Sequence, residues 1–379
     1  MSARRRMIVR HLGRVEYADG LALMQSLARR REEGEGEDVL LLLEHPPVLT
    51  LGRSAHREHV LLSEAELGAR GVELYETDRG GDVTYHGPGQ LVGYPVFDLK
   101  PDRKDVRRYV GGLEEAVIRT LADFGIQAGR IPKWTGVWVG GEDDPNAVKV
   151  CAIGVHIRKW ITTHGFALNV RPDLRHFGMI VPCGIRERGV SSISELLGRP
   201  VELSEVAPVV AAKMGEVFDA EVVEAGFDLE TVCVVVARKT PAGPQVLVLD
   251  RTPERGGFPQ VVTGRIGAGE APPEAARREL FEETGIAADV RPLDYVHAFG
   301  MGSEPLFVRE HAFVAEVPPE AEVRIDPSEH RSFRWLSPEE AVAEMPFAGL
   351  RRAVRLALKQ LGRSPEPRPR AFDSLGAGR

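Results

Sequence analysis

Only three cysteines occur in 379 residues, Cys151, Cys183 and Cys233, and no C-x-x-C pair is among them. This excludes a disulfide framework and a zinc knuckle, so each thiol is judged alone. Long hydrophobic runs are also missing: nothing approaches the ~20 apolar residues needed to cross a bilayer. The start, M-S-A-R-R-R-M-I-V-R-H-L-G, has basic residues but no apolar stretch of signal-peptide length behind them. The expectation is a cytoplasmic protein without membrane association that begins directly with its fold. Basic excess is absent too. A formal net charge of −7 argues against nucleic acid as a partner, because duplex binding needs a concentrated basic surface. With 43% hydrophobic and 28% charged residues, the length suits two ordinary globular domains, each with its own core.

The hydrophobic pattern supports that division. From Val39, V-L-L-L-L-E-H-P-P-V-L-T-L-G-R reads as two buried strands joined by a bend at Pro46 and Pro47. From Val106 to Phe124 the period becomes helical, with Val110, Leu113, Val117 and Leu121 on one face and Gly125 as the stop. Gly136–Val139 and Ala147–Ile157 read as a hairpin around G-G-E-D-D-P-N. A helix is expected over Ser204–Phe218, opened by Ser204 with Glu205 in its first turn. The boundary falls between Asp219 and Asp228. Beyond it, strands are expected at Thr231–Ala237, Val246–Asp250, Phe307–Val317 and Phe333–Leu336, with a closing helix at Ala348–Leu361. The domains are thus taken as 1–222 and 228–360. The proline-rich end, 361–379, is expected to be a disordered tail.

In the second half, Gly264 to Ile286 reads G-x5-E-x7-R-E-L-x-E-E-x-G-I. Pro272 and Pro273 suit a first helical turn and Gly285 a stop, so Glu274–Thr284 is expected to be helical. Glu279, Glu282 and Glu283, spaced i, i+3, i+4, then stack three carboxylates on one face. Their repulsion is relieved by a hard divalent cation with oxygen ligands. Arg278 is expected to pair with Glu270, tying loop to helix. A charged solvent face is the alternative for an arbitrary E-x-x-E-E, but here every fixed position of a long pattern is present. The string resembles the Nudix box. The resemblance implies an α/β/α sandwich that hydrolyses a nucleoside diphosphate linked to another group. It assigns Mg2+ or Mn2+ to Glu279, Glu282 and Glu283, and box-supporting positions to Gly264, Glu270, Arg278 and Gly285.

In the first half, R-G-G-D-V-T-Y-H-G-P-G-Q from Arg79 packs four glycines and a proline into twelve residues, a backbone that turns tightly and lets a ligand approach. No G-K-[ST] follows and no dinucleotide fingerprint fits, so a plain hairpin turn stays open at this point. Cys151 and Cys233 lie inside apolar strands as structural cysteines do, whereas Cys183, in V-P-C-G-I, sits in a loop. A nucleophilic role for it needs a group that lowers its pKa. Lys149, a lysine within an otherwise apolar strand, is the candidate: the pair stabilises a thiolate and then lets the amine move protons. His86, His156 and His164 show no metal-ligand spacing and are read as core or substrate-lining residues. Lys100, Arg103, Lys104, Arg107 and Arg108 offer a surface for an acidic carrier protein. A solvated helix face is favoured, because Asp102 and Asp105 lie among them.

Together, G-R-V-E-Y, E-H-P-P-V-L-T-L-G-R, the Arg79 loop, K-V-C-A-I-G, H-G-F-A-L-N and V-P-C-G-I resemble the lipoyl(octanoyl) transferases over residues 8–219. Cys151 sits where a small residue such as alanine is more usual. The resemblance implies an α/β fold shared with biotin and lipoate protein ligases, a mixed sheet with helices. It implies transfer of octanoate from octanoyl-acyl carrier protein to a lysine of lipoyl domains, those of 2-oxoacid dehydrogenases and the glycine cleavage H protein, with no cofactor. Cys183 becomes the acyl-thioester nucleophile and Lys149 its activator. Arg79, Gly80, Gly81, Asp82, Val83, Thr84, Tyr85 and His86, with Ala152, Ile153, Gly154, Gly165, Phe166 and Ala167, become substrate-site walls. Gly154, Gly165 and Ala167 would leave room for the acyl chain, and N–H groups of the glycine-rich loop would hold an oxyanion. A thioester lacks amide resonance, so transfer to an amine runs downhill without ATP. The alternative is an ATP-dependent lipoate or biotin ligase with a C-terminal module that senses a nucleotide without hydrolysing it. The flanks of the box, F-P-Q-V-V-T-G before it and E-H-R-S-F-R-W-L-S-P-E-E-A after it, resemble those of Nudix enzymes acting on nucleoside or pterin triphosphates, whereas oligomeric state and the reason for the fusion have no signal in the chain.

Overall fold

A computed structural model describes residues 5–100, 104–181, 188–302 and 305–362. The expected tail falls almost wholly outside these residues, as do Cys183 and Arg103. The first domain runs β1 (Arg5–Arg14), α1 (Tyr17–Glu32), β2 (Asp38–Glu44), β3 (Val48–Leu51), α2 (Glu64–Ala69), β4 (Glu73–Glu76), β5 (Val83–His86), β6 (Gln90–Val96) and α3 (Val106–Asp123). It continues through β7 (Gly129–Ile131), β8 (Trp134–Val139), β9 (Val148–Arg158), β10 (Ile161–Asn169), β11 (Gly189–Val190), α4 (Ile193–Leu197), α5 (Leu203–Val217) and β12 (Ala220–Glu224). Its main sheet has the order β12-β1-β2-β6-β10-β9-β8-β7, with β11 added beside β9, and a small sheet β4-β3-β5 stands apart.

The apolar run at Leu40–Leu43 is buried on both faces of β2. Leu40 and Leu42 join the core under α3 and α5, while Leu41 and Leu43 join a second cluster with Leu23 and Met24 of α1. That alternation is the period-2 geometry of a strand, and burial on both sides explains why the run lacks polar residues. The bend at Pro46 and Pro47 sends β3 away from β2 into the small sheet, a separation with no sequence signal.

Helix α3 is capped by Asp105, whose carboxylate accepts the Arg108 N–H at 3.0 Å. Helix α5 begins earlier than expected, at Leu203. Glu205 reaches back to the N–H of Glu202 at 2.8 Å, so Glu202 and not Ser204 opens it.

The second domain runs β13 (Leu229–Thr240), β14 (Gly243–Arg251), β15 (Pro259–Gln260), β16 (Val262–Arg265), α6 (Pro272–Thr284), β17 (Val290–Met301), β18 (Leu306–Val317), β19 (His330–Leu336), α7 (Pro338–Glu344) and α8 (Ala348–Gln360). The sheet order is β15-β14-β13-β18-β17, with β16 on β13 and β19 on β14. Val232, Val234 and Val236 of β13 face α6, and Cys233 and Val235 face α7 and α8, which makes the α/β/α sandwich. The domains share apolar surface: Ala298 of β17 and Phe307 of β18 belong to the cluster of Leu23, Met24, Leu41 and Leu43. Among the described residues no helix is long and apolar enough to cross a membrane.

Gly93 of β6 faces the ring of Phe166: an added Cβ would lie 2.1 Å from Cζ. We expect Gly93→Ala to force that ring out of the core and to destabilise the first domain by about 1–3 kcal/mol. The check is the urea midpoint of its unfolding transition.

Candidate active sites

The sites are carried by a cavity in the first domain and a carboxylate cluster in the second. The cavity, about 630 Å³, is floored by the antiparallel β9–β10 ladder. Ala152 pairs with Ala167, Ile153 with Phe166 and Gly154 with Gly165, so the two segments expected to line a substrate site are cross-strand partners. All six line the cavity, as do Arg79, Gly80, Gly81, Asp82, Val83, Thr84 and His86. Tyr85 does not. Alternation along β5 turns it into the core of the small sheet, where its hydroxyl meets Nδ1 of His176 at 2.6 Å.

The small residues have a more immediate cause than the acyl chain. A Cβ on Gly154 would lie 2.7 Å from the Gly80 carbonyl oxygen, and one on Gly165 only 2.2 Å from that of Gly93. Backbones cross there at a distance that only glycine allows. The Gly80 N–H donates to the Val155 carbonyl at 2.9 Å, which stitches the loop to β9. Arg79 anchors the same loop: Nε and Nη2 donate to the Thr50 hydroxyl at 3.1 and 2.8 Å, and Nη2 to its carbonyl at 2.6 Å. The expected oxyanion donors are therefore partly spent, since the Val83 N–H also donates, to Asp82 at 2.7 Å.

Lys149 lines the cavity from β9. Its Nζ donates to the Thr135 carbonyl at 3.2 Å and stands 4.8 Å from the Trp138 ring centre, while the bare Gly136 leaves space for its chain. Both described flanks of the segment containing Cys183 are tied to this region. The Val181 N–H donates to the His59 carbonyl at 2.8 Å, and on the far side Val190 pairs with Lys149 in a parallel bridge. Cys183 lies outside the described residues. Cys151 and Cys233 are fully buried, and burial pushes the thiol of each upward, so both are inert core groups.

The histidines are held by acceptors. His164 Nε2 lies 2.7 Å from Asp78 Oδ1, and His156 Nδ1 lies 3.2 Å from Asp78 Oδ2. The hydrogen bond from His164 holds Asp78 at about 2. His86 is bonded to Gln90 at 2.8 Å, and burial lowers it to about 3, which keeps it neutral beside the cavity. Lys100 pairs with Asp98 at 3.5 Å ahead of α3.

In the second domain α6 starts at Pro272 and ends at Gly285, whose φ of 69° is the left-handed conformation that closes helices. Arg278 grips Glu270 through two hydrogen bonds, 2.8 and 2.9 Å, and also reaches Glu279 at 2.8 Å and Glu282 at 2.9 Å. Glu270 in turn accepts the Gly267 N–H at 2.7 Å and is held at about 2, chiefly by the guanidinium. Gly264 is required because a Cβ would overlap the Glu279 carboxylate at 1.8 Å.

The three box carboxylates do not meet at one point here. Arg278 occupies two of them, while Glu283 turns inward to His330 and Glu329, their ligand atoms within 4.8 Å of one another. No spacing rule links Glu329 to α6, so the sequence carries no signal for its place beside Glu283. Glu283 is buried, its carboxyl is raised by desolvation, and its Oε2 has no hydrogen-bond partner. The His330 Nε2 lies 3.2 Å away, without the angle of a hydrogen bond. Glu279 is raised by burial as well. A buried carboxylate with an unpartnered oxygen, beside two more acids and an imidazole, is a donor set that fits a hard cation.

The chain matches the model of the lipoyl protein ligase A/B catalytic domain over residues 16–215 and that of the NUDIX domain over residues 229–356. An octanoyltransferase of Myxococcus xanthus is 53% identical over 351 residues, covering 92% of this chain and 98% of that one. The octanoyltransferase of Chloroflexus aggregans is 50% identical over 222 residues, 58% of this chain and 99% of its own. Among solved structures, a lipoate-protein ligase A bound with ATP covers 59% of this chain and 89% of its own, at 19% identity and a TM-score of 0.46. A C. elegans Ap4A hydrolase complex covers 35% of this chain and 98% of its own, at 19% identity and a TM-score of 0.32.

Because its folded pKa is depressed, Asp78 contributes stability that is full above its usual value of 3.8 and is lost as pH falls through about 2. The expected result is a fall in thermal midpoint across that window that flattens in Asp78→Asn, read by calorimetry.

Proposed function

From its membership of the lipoyl protein ligase A/B family, as an octanoyltransferase with a NUDIX domain joined behind it, we propose that this chain carries octanoate on Cys183 and hands it to a lipoyl-domain lysine. The observation that carries this reading is Lys149, an amine on β9 facing a cavity large enough for an eight-carbon chain, with the described flanks of the Cys183 segment bound to His59 and to Lys149 itself.

The chemistry balances in two steps. The Cys183 thiolate attacks the thioester of octanoyl-acyl carrier protein, the new thioester bond forms, and the carrier leaves as a thiolate that takes up a proton. The amine of the acceptor lysine then attacks the Cys183 thioester, an amide bond forms, and the cysteine leaves as the thiolate again. Lys149 holds the anionic sulfur and passes the proton released by the amine. No phosphate is consumed, which separates this reading from the ATP-dependent ligase.

For the second domain the proposed activity is hydrolysis of a nucleoside diphosphate linked to another group. Glu279, Glu282 and Glu283 hold Mg2+ or Mn2+, with Glu329 and His330 beside Glu283. When bound, the cation offsets charge on the pyrophosphate and makes a water molecule more acidic. Arg278 must release Glu279 and Glu282 for them to serve, while its two hydrogen bonds to Glu270 keep the loop in place. Retention of the box carboxylates favours hydrolysis over nucleotide sensing.

Cys183→Ala is expected to abolish ATP-independent transfer from octanoyl carrier protein to an apo lipoyl domain, and Lys149→Ala to slow it about 10²-fold or more. Transfer that persists in Cys183→Ala, or that requires ATP in the parent chain, contradicts the thioester route. In a Mg2+-dependent nucleotide panel, Glu283→Gln is expected to remove any hydrolysis that the parent chain shows. An unchanged rate would leave the carboxylate without a role.

A further inference from the structure

Helix α1 lies between the transfer cavity and the second domain, and touches both. Its first residue, Tyr17, lines the cavity, stacked at 6.2 Å on His86 and edge-on at 5.1 Å to His45. Further along, Met24 Sδ accepts the N–H of cavity-lining His164 at 2.8 Å. On the other side, the residue just before the helix, Glu16, accepts the hydroxyl of Tyr295 on β17 at 2.9 Å. Leu23 presses on Gly300 so closely that a Cβ there would lie 2.6 Å from its Cδ1. Asp19 accepts the N–H of Gly349 at the start of α8. A further tie lies outside the helix: the Arg10 guanidinium rests 3.7 Å above the Phe307 ring and 3.5 Å from Asp228.

We propose that Glu16 and Tyr295 are positioning residues for acyl transfer: the second domain, through the buried Tyr295–Glu16 hydrogen bond, holds Tyr17 in the wall of the first domain's cavity. The inference rests on the acyl-transfer reading above. Glu16 and Tyr295 are 5% and 2% exposed, so water cannot replace either partner if the bond is lost. Tyr17 follows Glu16 directly, so a shift at the carboxyl is passed to the ring through one peptide unit. The ring is the part of α1 that reaches substrate space, and its displacement alters acyl-chain binding before it alters the sulfur chemistry.

The same carboxyl makes the contact pH-dependent. Burial raises Glu16 to about 7, against opposing pulls from Tyr295 and Arg352 and with Glu73 and Asp19 adding negative charge. Asp19, facing Arg351, the Gly349 N–H and Glu73, is raised to about 6, again by burial. Both folded values lie above the unfolded ones. The stabilising contribution is therefore full below about 4 and is lost as pH rises through 6 and 7, where buried charge appears between the domains.

The test uses the full chain. Tyr295→Phe removes only the hydroxyl and keeps the ring stacked on His297, now at 4.9 Å, so the sandwich is preserved. The expected result is a KM for the octanoyl donor raised about fivefold with kcat nearly unchanged and nucleotide hydrolysis untouched. Glu16→Ala should reproduce the effect, and Glu16→Gln, which keeps an acceptor for the hydroxyl, should restore most of the affinity. Parent-like KM in both Tyr295→Phe and Glu16→Ala overturns the inference. So does a joint fall of transfer and hydrolysis in the two variants, which marks a general loss of folding. A parent chain with no transfer at all would instead remove the acyl-transfer reading.

Discussion

The crossing of Gly154 over Gly80 is the constraint on which the first site depends. With 2.7 Å between a Cβ on Gly154 and the Gly80 carbonyl, no side chain fits at Gly154. The contact fixes the height of the Arg79 loop above the β9–β10 ladder and therefore the depth of the cavity. Arg79 locks it laterally by spending its guanidinium on Thr50. Five residues back along β9, Lys149 then lines a space whose floor is set by the β9–β10 backbone. A site built this way loses little order when a flexible acyl chain enters, because the protein has already incurred the entropic cost.

The two domains are not beads on a string. Their apolar cluster is continuous, and the buried face of α1 is shared between them. Helix α6, which carries the box carboxylates, sits on the far side of the second sheet from the helices α7 and α8, one of which meets α1. The second domain thus supports the first through its back while its own carboxylates face elsewhere.

Much was legible in the chain wherever a local rule decided the outcome. Pro272, Pro273 and Gly285 marked α6, the Arg278–Glu270 pair was readable from the box, and an apolar strand with one lysine pointed to the cavity wall. What escaped was decided by partners distant in sequence. Helix α1 is not legible in the sequence, because its second apolar face is covered by residues nearly 280 positions later. Strand β17, with Pro292 and Asp294 inside and a bulge between Pro292 and Val296, has no clean alternation. Tyr85 is expected in the site wall with Thr84 and His86, but period-2 geometry sends it to the opposite face. Glu329 has no spacing rule to α6, and only packing brings it to Glu283.

The central claim is that octanoate resides on the thiol at position 183 during each cycle. The most direct measurement is intact mass and peptide mapping of the protein after incubation with octanoyl carrier protein and no acceptor. The account predicts one octanoyl group on the peptide containing Cys183, discharged when an apo lipoyl domain is added. An unmodified protein, or an acyl group mapped to another residue, under conditions where transfer proceeds, would contradict it.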